Sequence, residues 1–261
     1  MTQIGESIAV SIATSDKDEP CWACKKEPET QLQNDLNESP SSIGEPENQL
    51  HNDSSDLGKN LGFRPTWSIQ VAETLNPNAQ LISAEVTAAA HHLIPGNASL
   101  KKCPQILDLI ESSRGKIRSD IGYNVNSQQN GVWLPGSYGV NPDSVFKKKW
   151  SAFTNQMDYA FRAMDKANAQ FHDAHPEYSR QVIRALRSLA DKITLTAPEK
   201  CGICGEKLQD KARPPYGLVG RLNQISSMHR KFLRGPMHKW PVQSGYFTSR
   251  WSGIKKSSPA L

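Results

Sequence analysis

Two adjacent histidines, His91 and His92, follow a short apolar run and precede a Pro-Gly turn signal. Residues 84–90 (AEVTAAA) predict a strand or short apolar segment that ends at this pair. Neighbouring side chains on a strand point to opposite faces, so the two imidazoles would have different tasks. In a hydrolytic site, one imidazole can bind a metal ion while the other takes a proton from water. The alternative is a pair of histidines in an ordinary turn.

Two further histidines lie downstream at a spacing suited to metal binding. His172 and His175 are three residues apart, which on a helical turn places both imidazoles on one side. With His91 they would provide three nitrogen ligands and leave open positions, as in a catalytic divalent-metal centre. His92 would then be the general base, because an imidazole with a pKa near about 6.5 is mostly neutral at pH 7. The alternative is a helix terminus with two solvated histidines.

Asn130 stands at the start of the segment NGVWLP, between the two histidine motifs. Its amide oxygen can accept a hydrogen bond from the second ring N–H of the base and so hold its tautomer. Asn-Gly is also a common turn signal in β-hairpins, and this role is compatible with the first.

The combination of these motifs resembles the AHH nuclease family of the HNH/endonuclease VII superfamily, which is common among bacterial polymorphic toxins. The resemblance spans roughly residues 84–192, and it is the set of motifs in this order that is specific. The motifs are Ala90-His91-His92, residues 122–126 (GYNVN), residues 130–135 (NGVWLP) and the run from His172 through His175 to Tyr178.

The resemblance implies an α+β fold, mostly helical, with a ββα-metal (His-Me finger) nuclease core and helical insertions. Two strands would carry His91, His92 and Asn130, and a helix would supply His172, His175 or both. It also implies His92 as the base, Asn130 as its orienting residue, and His91 with a downstream histidine as ligands of Mg²⁺, Mn²⁺, Ni²⁺ or Zn²⁺. Which of the two downstream histidines binds the metal stays open.

Tyr178, at the end of the last motif, would pack behind the site or hold a phosphate. Both roles are compatible with its position three residues after a predicted metal ligand. Packing is the interpretation we favour.

Two Cys-x-x-Cys pairs, Cys21 with Cys24 and Cys201 with Cys204, each have the spacing of half a tetrahedral zinc site. We favour one four-Cys structural zinc site that ties the N-terminal arm to the C-terminal region. The alternative is a pair of reduced or disulfide-linked turns, which an oxidising compartment would favour. Cys103 is predicted to be a buried helix residue.

Charge is distributed unevenly along the chain. Residues 1–60 carry four lysines and twelve acidic residues, a formal charge of −8, whereas residues 200–261 carry twelve basic and two acidic residues, a formal charge of +10. The asymmetry indicates a nucleic-acid surface at one end, or two solvated surfaces that offset each other. The basic, aromatic-rich tail would suit contact with a nucleic-acid backbone and stacking on its bases. It would suit an acidic immunity protein equally well. The candidate phosphate contacts are Arg114, Lys116, Arg118, Arg230, Lys231 and Arg234.

Composition and apolar periodicity predict three parts of the chain. These are an acidic arm or linker with a Cys-x-x-Cys pair (1–60), a nuclease domain (61–195) and a basic region with the second pair (196–261). The predicted elements are a short helix or strand over 67–75, helices over 99–117, 144–172 and 179–192, and a strand over 132–134.

These features favour a metal-dependent, nonspecific endonuclease that acts on DNA, with RNA as the alternative substrate. The family resemblance implies an antibacterial toxin that a cognate immunity protein neutralises. A third hypothesis is a non-catalytic, zinc-containing nucleic-acid-binding module. The sequence shows neither a secretory signal at its start nor a membrane span. We therefore expect synthesis in the cytoplasm and export by a specialised secretion system into the cytoplasm of a target cell.

Overall fold

The computed structural model describes residues 50–72, 78–113, 116–117, 122–137, 140, 155–196 and 217–258 of the chain. Several predictions fall outside these ranges and stay predictions. They concern the arm up to residue 49, the zinc site of Cys21, Cys24, Cys201 and Cys204, and the phosphate contacts of Arg114 and Arg118.

The main sheet has three antiparallel strands in the order β1-β2-β5, with β2 in the centre. The first seven residues of β2 pair with β1, and its last five pair with β5. In the first half of β2, Ala84 and Val86 are buried while Ser83 and Glu85 are exposed, which is the alternation of a strand with one covered face. A separate hairpin joins β3 and β4. The strands are β1 (Thr66–Ala72), β2 (Leu81–His92), β3 (Glu111–Ser113), β4 (Lys116–Ile117) and β5 (Gly131–Pro135).

Six α-helices lie in the described part of the chain, and local signals explain several of their ends. Asp53 is the N-cap of the first helix, where its carboxylate accepts hydrogen bonds from two backbone N–H groups. The third helix ends at Asn168, which has the left-handed conformation that asparagine tolerates (φ 50°). The helices are α1 (Ser54–Leu61), α2 (Pro104–Ile110), α3 (Gln156–Ala167), α4 (Pro176–Thr196), α5 (Leu218–Leu233) and α6 (Arg250–Ser257).

Two apolar clusters form the core of the described residues. The larger one joins β5 to α2, α4 and α5, and includes Leu134, Ile106, Leu186 and Leu222. The smaller one lies between the β1-β2 part of the sheet and helices α3 and α6. Helix α5, within the basic region predicted to begin at residue 196, therefore shares a core with α4 and β5. Among the described residues, no helix has both the length and the apolarity needed to cross a membrane.

The structure agrees with the α+β prediction, since a small antiparallel sheet packs with helices. The segment 84–90, predicted as a strand or a short apolar segment, is part of β2. The strand predicted over 132–134 is confirmed as part of β5, and the helix predicted over 179–192 lies within α4. The segment 67–75, for which helix and strand were both open, contains most of β1. Of the helix predicted over 144–172, the described part is α3, which ends well before His172.

Two predictions about elements were wrong. The helix expected over 99–117 begins at Pro104 and ends at Ile110, after which the chain enters the β3-β4 hairpin. Proline is favourable in the first turn of a helix, so this helix starts late. The arm or linker predicted over 1–60 was also too long, because its last residues form most of α1, where Leu57 is fully buried.

Candidate active site

The side chains of His91, His172 and His175 lie close together, although the residues belong to different segments of the fold. His91 lies near the end of β2, where it pairs with Val132 of β5. His172 forms a bridge with Gly136, just beyond β5, and its N–H donates to the carbonyl of Pro135 at 2.7 Å. The carbonyl of His175 accepts a hydrogen bond from the N–H of Ser179 in the first turn of α4.

The expectation that His172 and His175 share a helical turn was therefore wrong. Both residues precede α4, which begins at Pro176. Proline at the first position lacks an N–H that a helix start leaves unbonded, so the helix begins there and not earlier. The structure nevertheless brings the two imidazoles to the same side through the loop between α3 and α4.

The three imidazoles form a compact cluster. The ring centroid of His91 lies 5.0 Å from that of His172 and 4.9 Å from that of His175, and the latter two centroids are 5.2 Å apart. One nitrogen from each ring lies within 4.8 Å of a nitrogen from the other two. Among the histidine, cysteine and acidic side chains of the described residues, those of this cluster are placed so that they could hold a metal ion.

The chemistry of this cluster fits a divalent cation. Burial lowers the pKa of His91 well below its ordinary value, and the charges of His175 and His172 lower it further. Burial likewise lowers the pKa of His172 to about 3 and lowers that of His175. The rings are therefore neutral at pH 7, which is the form that binds metal. Nε2 of His91 is buried and has no hydrogen-bond partner among the described residues, and a metal ion is a partner that would satisfy it.

His92 lies next to the cluster but makes different contacts. Adjacent strand residues face opposite sides, and Nε2 of His92 is 2.8 Å from Oδ1 of Asn126. Burial lowers the pKa of His92, while the hydrogen bond to Asn126 and the charge of Asp53 act in the opposite direction. The charge of a protonated His92 would also lower the pKa values of His91 and His172.

Asn130 does not orient His92, which corrects the sequence-based prediction. Its fully buried amide donates to the carbonyl oxygens of Ile94 and Val125 at 2.9 and 2.8 Å. Its oxygen accepts from the N–H of Ile94 and from the hydroxyl of Ser226 at 2.8 and 2.9 Å. The amide is thereby committed to joining the end of β2, the start of β5 and helix α5.

The residue that contacts His92 is Asn126, which lies in the GYNVN motif and for which the motif predicted no role. A second asparagine four residues before Asn130 is the only sequence signal for it. Amide side chains at either position could reach a histidine, and local sequence does not distinguish between them.

Tyr178 packs behind the histidine cluster, as we favoured from the sequence. Its ring centroid lies 5.0 Å from that of His91, and its hydroxyl donates to the carbonyl of Leu93 at 2.9 Å. The same hydroxyl lies 3.0 Å from Nδ1 of His229 in α5. Burial lowers the pKa of His229 to about 4. Sequence reasoning missed His229, although its spacing from Leu222, Ser226 and Leu233 matches the buried face of a helix.

The predicted phosphate contacts lie in varied environments. The guanidinium of Arg230 donates to the carbonyl oxygens of Gln128, Gln129 and Gly131, so it closes the turn before β5. Lys231 and Arg234 are exposed, as is Lys116 in β4. Structure thus gives Arg230 a role in holding the loop that leads to β5.

Comparison with known families identifies the family of this chain. Residues 73–203 match the model of a nuclease family of the HNH/ENDO VII superfamily with conserved AHH. This match identifies a nuclease of that superfamily, whose substrate is a nucleic acid. The chain belongs to the AHH nuclease family. Comparisons with curated proteins and with solved structures gave no match.

Proposed function

We propose that this protein is a metal-dependent endonuclease that hydrolyses phosphodiester bonds, with DNA as its substrate. The observation that carries the proposal is the convergence of His91, His172 and His175, with His92 beside them. Three neutral imidazoles are a ligand set for a catalytic divalent cation with open positions.

In this mechanism His91, His172 and His175 hold the cation, and His92 is the general base. The cation would supply stabilisation of the negative charge that develops on the phosphodiester oxygens. His92 accepts the proton of the attacking water. Tyr178 packs against the His91 ring and anchors to the Leu93 carbonyl, so it restrains the end of β2 that carries the pair.

Support for the biological role comes from the family. The motifs resemble those of bacterial polymorphic toxins, so the proposal extends to an antibacterial toxin that reaches the target-cell cytoplasm through a specialised secretion system. A cognate immunity protein would neutralise it, and the basic residues of the C-terminal region suit an acidic inhibitor.

The test is cleavage of plasmid DNA and of RNA by the purified, metal-stripped full chain, with Mg²⁺, Mn²⁺, Ni²⁺ or Zn²⁺ added one at a time. We expect metal-dependent cleavage of DNA and a loss of roughly 10²-fold or more in the His92→Ala variant. His238→Ala is the matched control, because His238 is exposed and does not belong to the histidine cluster. This variant should cleave like the wild type.

Two results would contradict the catalytic proposal: equal cleavage by the wild type and His92→Ala, or full activity in excess chelator. Cleavage of RNA alone would overturn the choice of DNA. For the toxin role, the wild-type chain is expressed in bacteria that lack an inhibitor gene. Normal growth with active enzyme in the lysate would overturn that role.

A further inference from the structure

The two ring nitrogens of His92 have different surroundings. Nε2 lies 2.8 Å from Oδ1 of Asn126, whereas Nδ1 has no hydrogen-bond partner in the part of the chain that the structure describes. A neutral imidazole carries its proton on one nitrogen and a lone pair on the other. The partner of one nitrogen therefore decides which atom can accept a proton.

The orientation of the Asn126 amide follows from its other contacts. The backbone N–H of Asp53 points at the same Asn126 atom at 3.0 Å, and a donor requires an oxygen there. The Asn126 NH₂ group donates in turn to the carbonyl of His51 at 3.3 Å. If the amide were rotated by 180°, its NH₂ would face the Asp53 N–H and its oxygen would face the His51 carbonyl. Both contacts would then be lost.

This orientation determines the tautomer of His92. The amide oxygen of Asn126 can only accept, so Nε2 of His92 must carry the proton that lies between them. The lone pair of the neutral ring is then on Nδ1. Asp53 thus affects His92 indirectly, because its backbone N–H holds the Asn126 amide that contacts the imidazole.

Asn126 is itself held in place by its backbone. Its N–H donates to Oδ1 of Asn124 at 2.7 Å, and its carbonyl accepts from the side chain of Asn60 in α1 at 2.8 Å. Asp53 is the N-cap of α1, so the same short helix supports Asn126 at both its side chain and its backbone. A residue with this many restraints is suited to fix the direction of a partner side chain.

We infer that Asn126 is the positioning residue of the proposed nuclease, and that it presents Nδ1 of His92 as the proton acceptor. The backbone of Asp53 fixes the direction of the Asn126 amide. This inference rests on the proposed function for its catalytic consequence, while the tautomer is a property of the protein itself. Residues 50–61 precede the family match at 73–203, so the orientation of the base depends on a segment that the match does not include.

The test uses the full chain with ¹⁵N-labelled histidine, free of metal and at a pH where the rings are neutral. Long-range ¹H–¹⁵N spectra distinguish the two tautomers of His92. We expect the wild type and Asn126→Asp, which keeps an oxygen acceptor, to show the proton on Nε2. Asn126→Leu, which removes the acceptor, should show a mixture of tautomers.

Kinetics on the same variants separate positioning from binding. We expect kcat of Asn126→Leu to fall at least about tenfold with KM within about twofold, and Asn126→Asp to recover part of the loss. Gln129→Ala is the matched control, because Gln129 is exposed three residues after Asn126 and is not one of the residues that hold the Asn126 amide. It should leave both the tautomer and kcat unchanged.

A wild-type spectrum with the proton on Nδ1 would overturn the inference, and so would an Asn126→Leu variant with unchanged tautomer and kcat. The wild-type spectrum needs no variant, so misfolding of Asn126→Leu cannot remove the test. If the wild type cleaves no nucleic acid while its spectrum shows the proton on Nε2, the proposed function fails and the assignment of the hydrogen-bond chain stands.

Discussion

At the scale of single residues, similar side chains have different tasks because their neighbours differ. Asn126 and Asn130 are both buried amides near the end of β2. Asn126 faces an imidazole, whereas Asn130 meets two carbonyl oxygens, a backbone N–H and a hydroxyl. The contact of Asn126 therefore concerns the proposed base, whereas the contacts of Asn130 concern the stability of the fold.

Asn130→Ala should therefore destabilise the fold. The substitution leaves the buried polar groups of Ile94, Val125 and Ser226 without their partner, and we expect the unfolding free energy to fall by at least about 3 kcal/mol. Urea unfolding of the metal-free chain measures this without a contribution from metal affinity. Gln129→Ala, at an exposed position next to it, is the control and should change little. Equal stability of Asn130→Ala and the wild type would contradict this account.

The histidine pair was predictable from local sequence, but the partner of His92 was not. Strand alternation follows from backbone geometry, so AEVTAAAHH was enough to assign different sides to His91 and His92. The choice between two asparagines depends on Ser226, Asp53 and His51, which are distant in sequence from both. Sequence spacing carries no information about such contacts.

At the scale of elements, β2, β5 and the loop before α4 bring the three clustered histidines together, and the segment before α1 contacts the turn after the histidine pair. Leu50 is fully buried in the larger core cluster, and the N–H of Gly96 donates to Oδ1 of Asn52 at 2.6 Å. The turn after the histidine pair thus holds the residues that lead to Asp53.

Gly96→Ala should disturb the packing of this turn against Leu50 and Asn52. A Cβ at position 96 would overlap the backbone carbonyl oxygen of Leu50, which cannot yield as a flexible side chain would. We expect the unfolding free energy to fall by roughly 1–3 kcal/mol, as for other overpacked sites, and cleavage to slow because Asp53 loses its support. Thermal denaturation and plasmid cleavage measure the two effects.

Gly220→Ala is the matched control, because a Cβ at this position in α5 would meet no atom within 4 Å. It should be neutral or stabilising by about 1 kcal/mol, since alanine favours a helix. If Gly96→Ala were as stable and as active as Gly220→Ala, the segment before α1 would have no part in the site.

The elements also show where periodicity misleads. Ile106 and Ile110 are buried on one face of α2, as their spacing predicts, yet the predicted helix continued too far on both sides. Apolar spacing marks the buried face, while helix ends depend on caps, proline and the next pairing partner. The β3-β4 hairpin supplied that partner after Ile110.

At the scale of the whole molecule, the site collects several neutral histidines inside one fold. His91, His172 and His175 are close enough for their charges to oppose one another, and His229 is buried behind Tyr178. Each of these rings has a lowered pKa in the folded chain. Protonation consequently favours the unfolded chain, in which histidine has a pKa near about 6.5.

We expect the metal-free protein to lose stability as the pH falls. Below a pH of about 6.5 the unfolded chain binds more protons than the folded chain, so the unfolding free energy decreases with falling pH. The window extends towards about 4 for His229 and about 3 for His172. Urea unfolding between about pH 7.5 and 4.5 measures the slope, above the range in which the Asp53 carboxylate is protonated. A free energy independent of pH across this window would contradict the prediction.

The sequence by itself determined the family, the order of the motifs and the strand that carries the histidine pair. These depend on residue type and on short-range backbone periodicity, which any local window contains. Tertiary structure alone decided that His172 and His175 meet His91 from a loop and that Asn126 contacts His92. It also decided that α1 contacts Asn126 and that α5 contacts Tyr178 behind the cluster. Those contacts join residues that are tens of positions apart, and they form only when separate segments pack into one core.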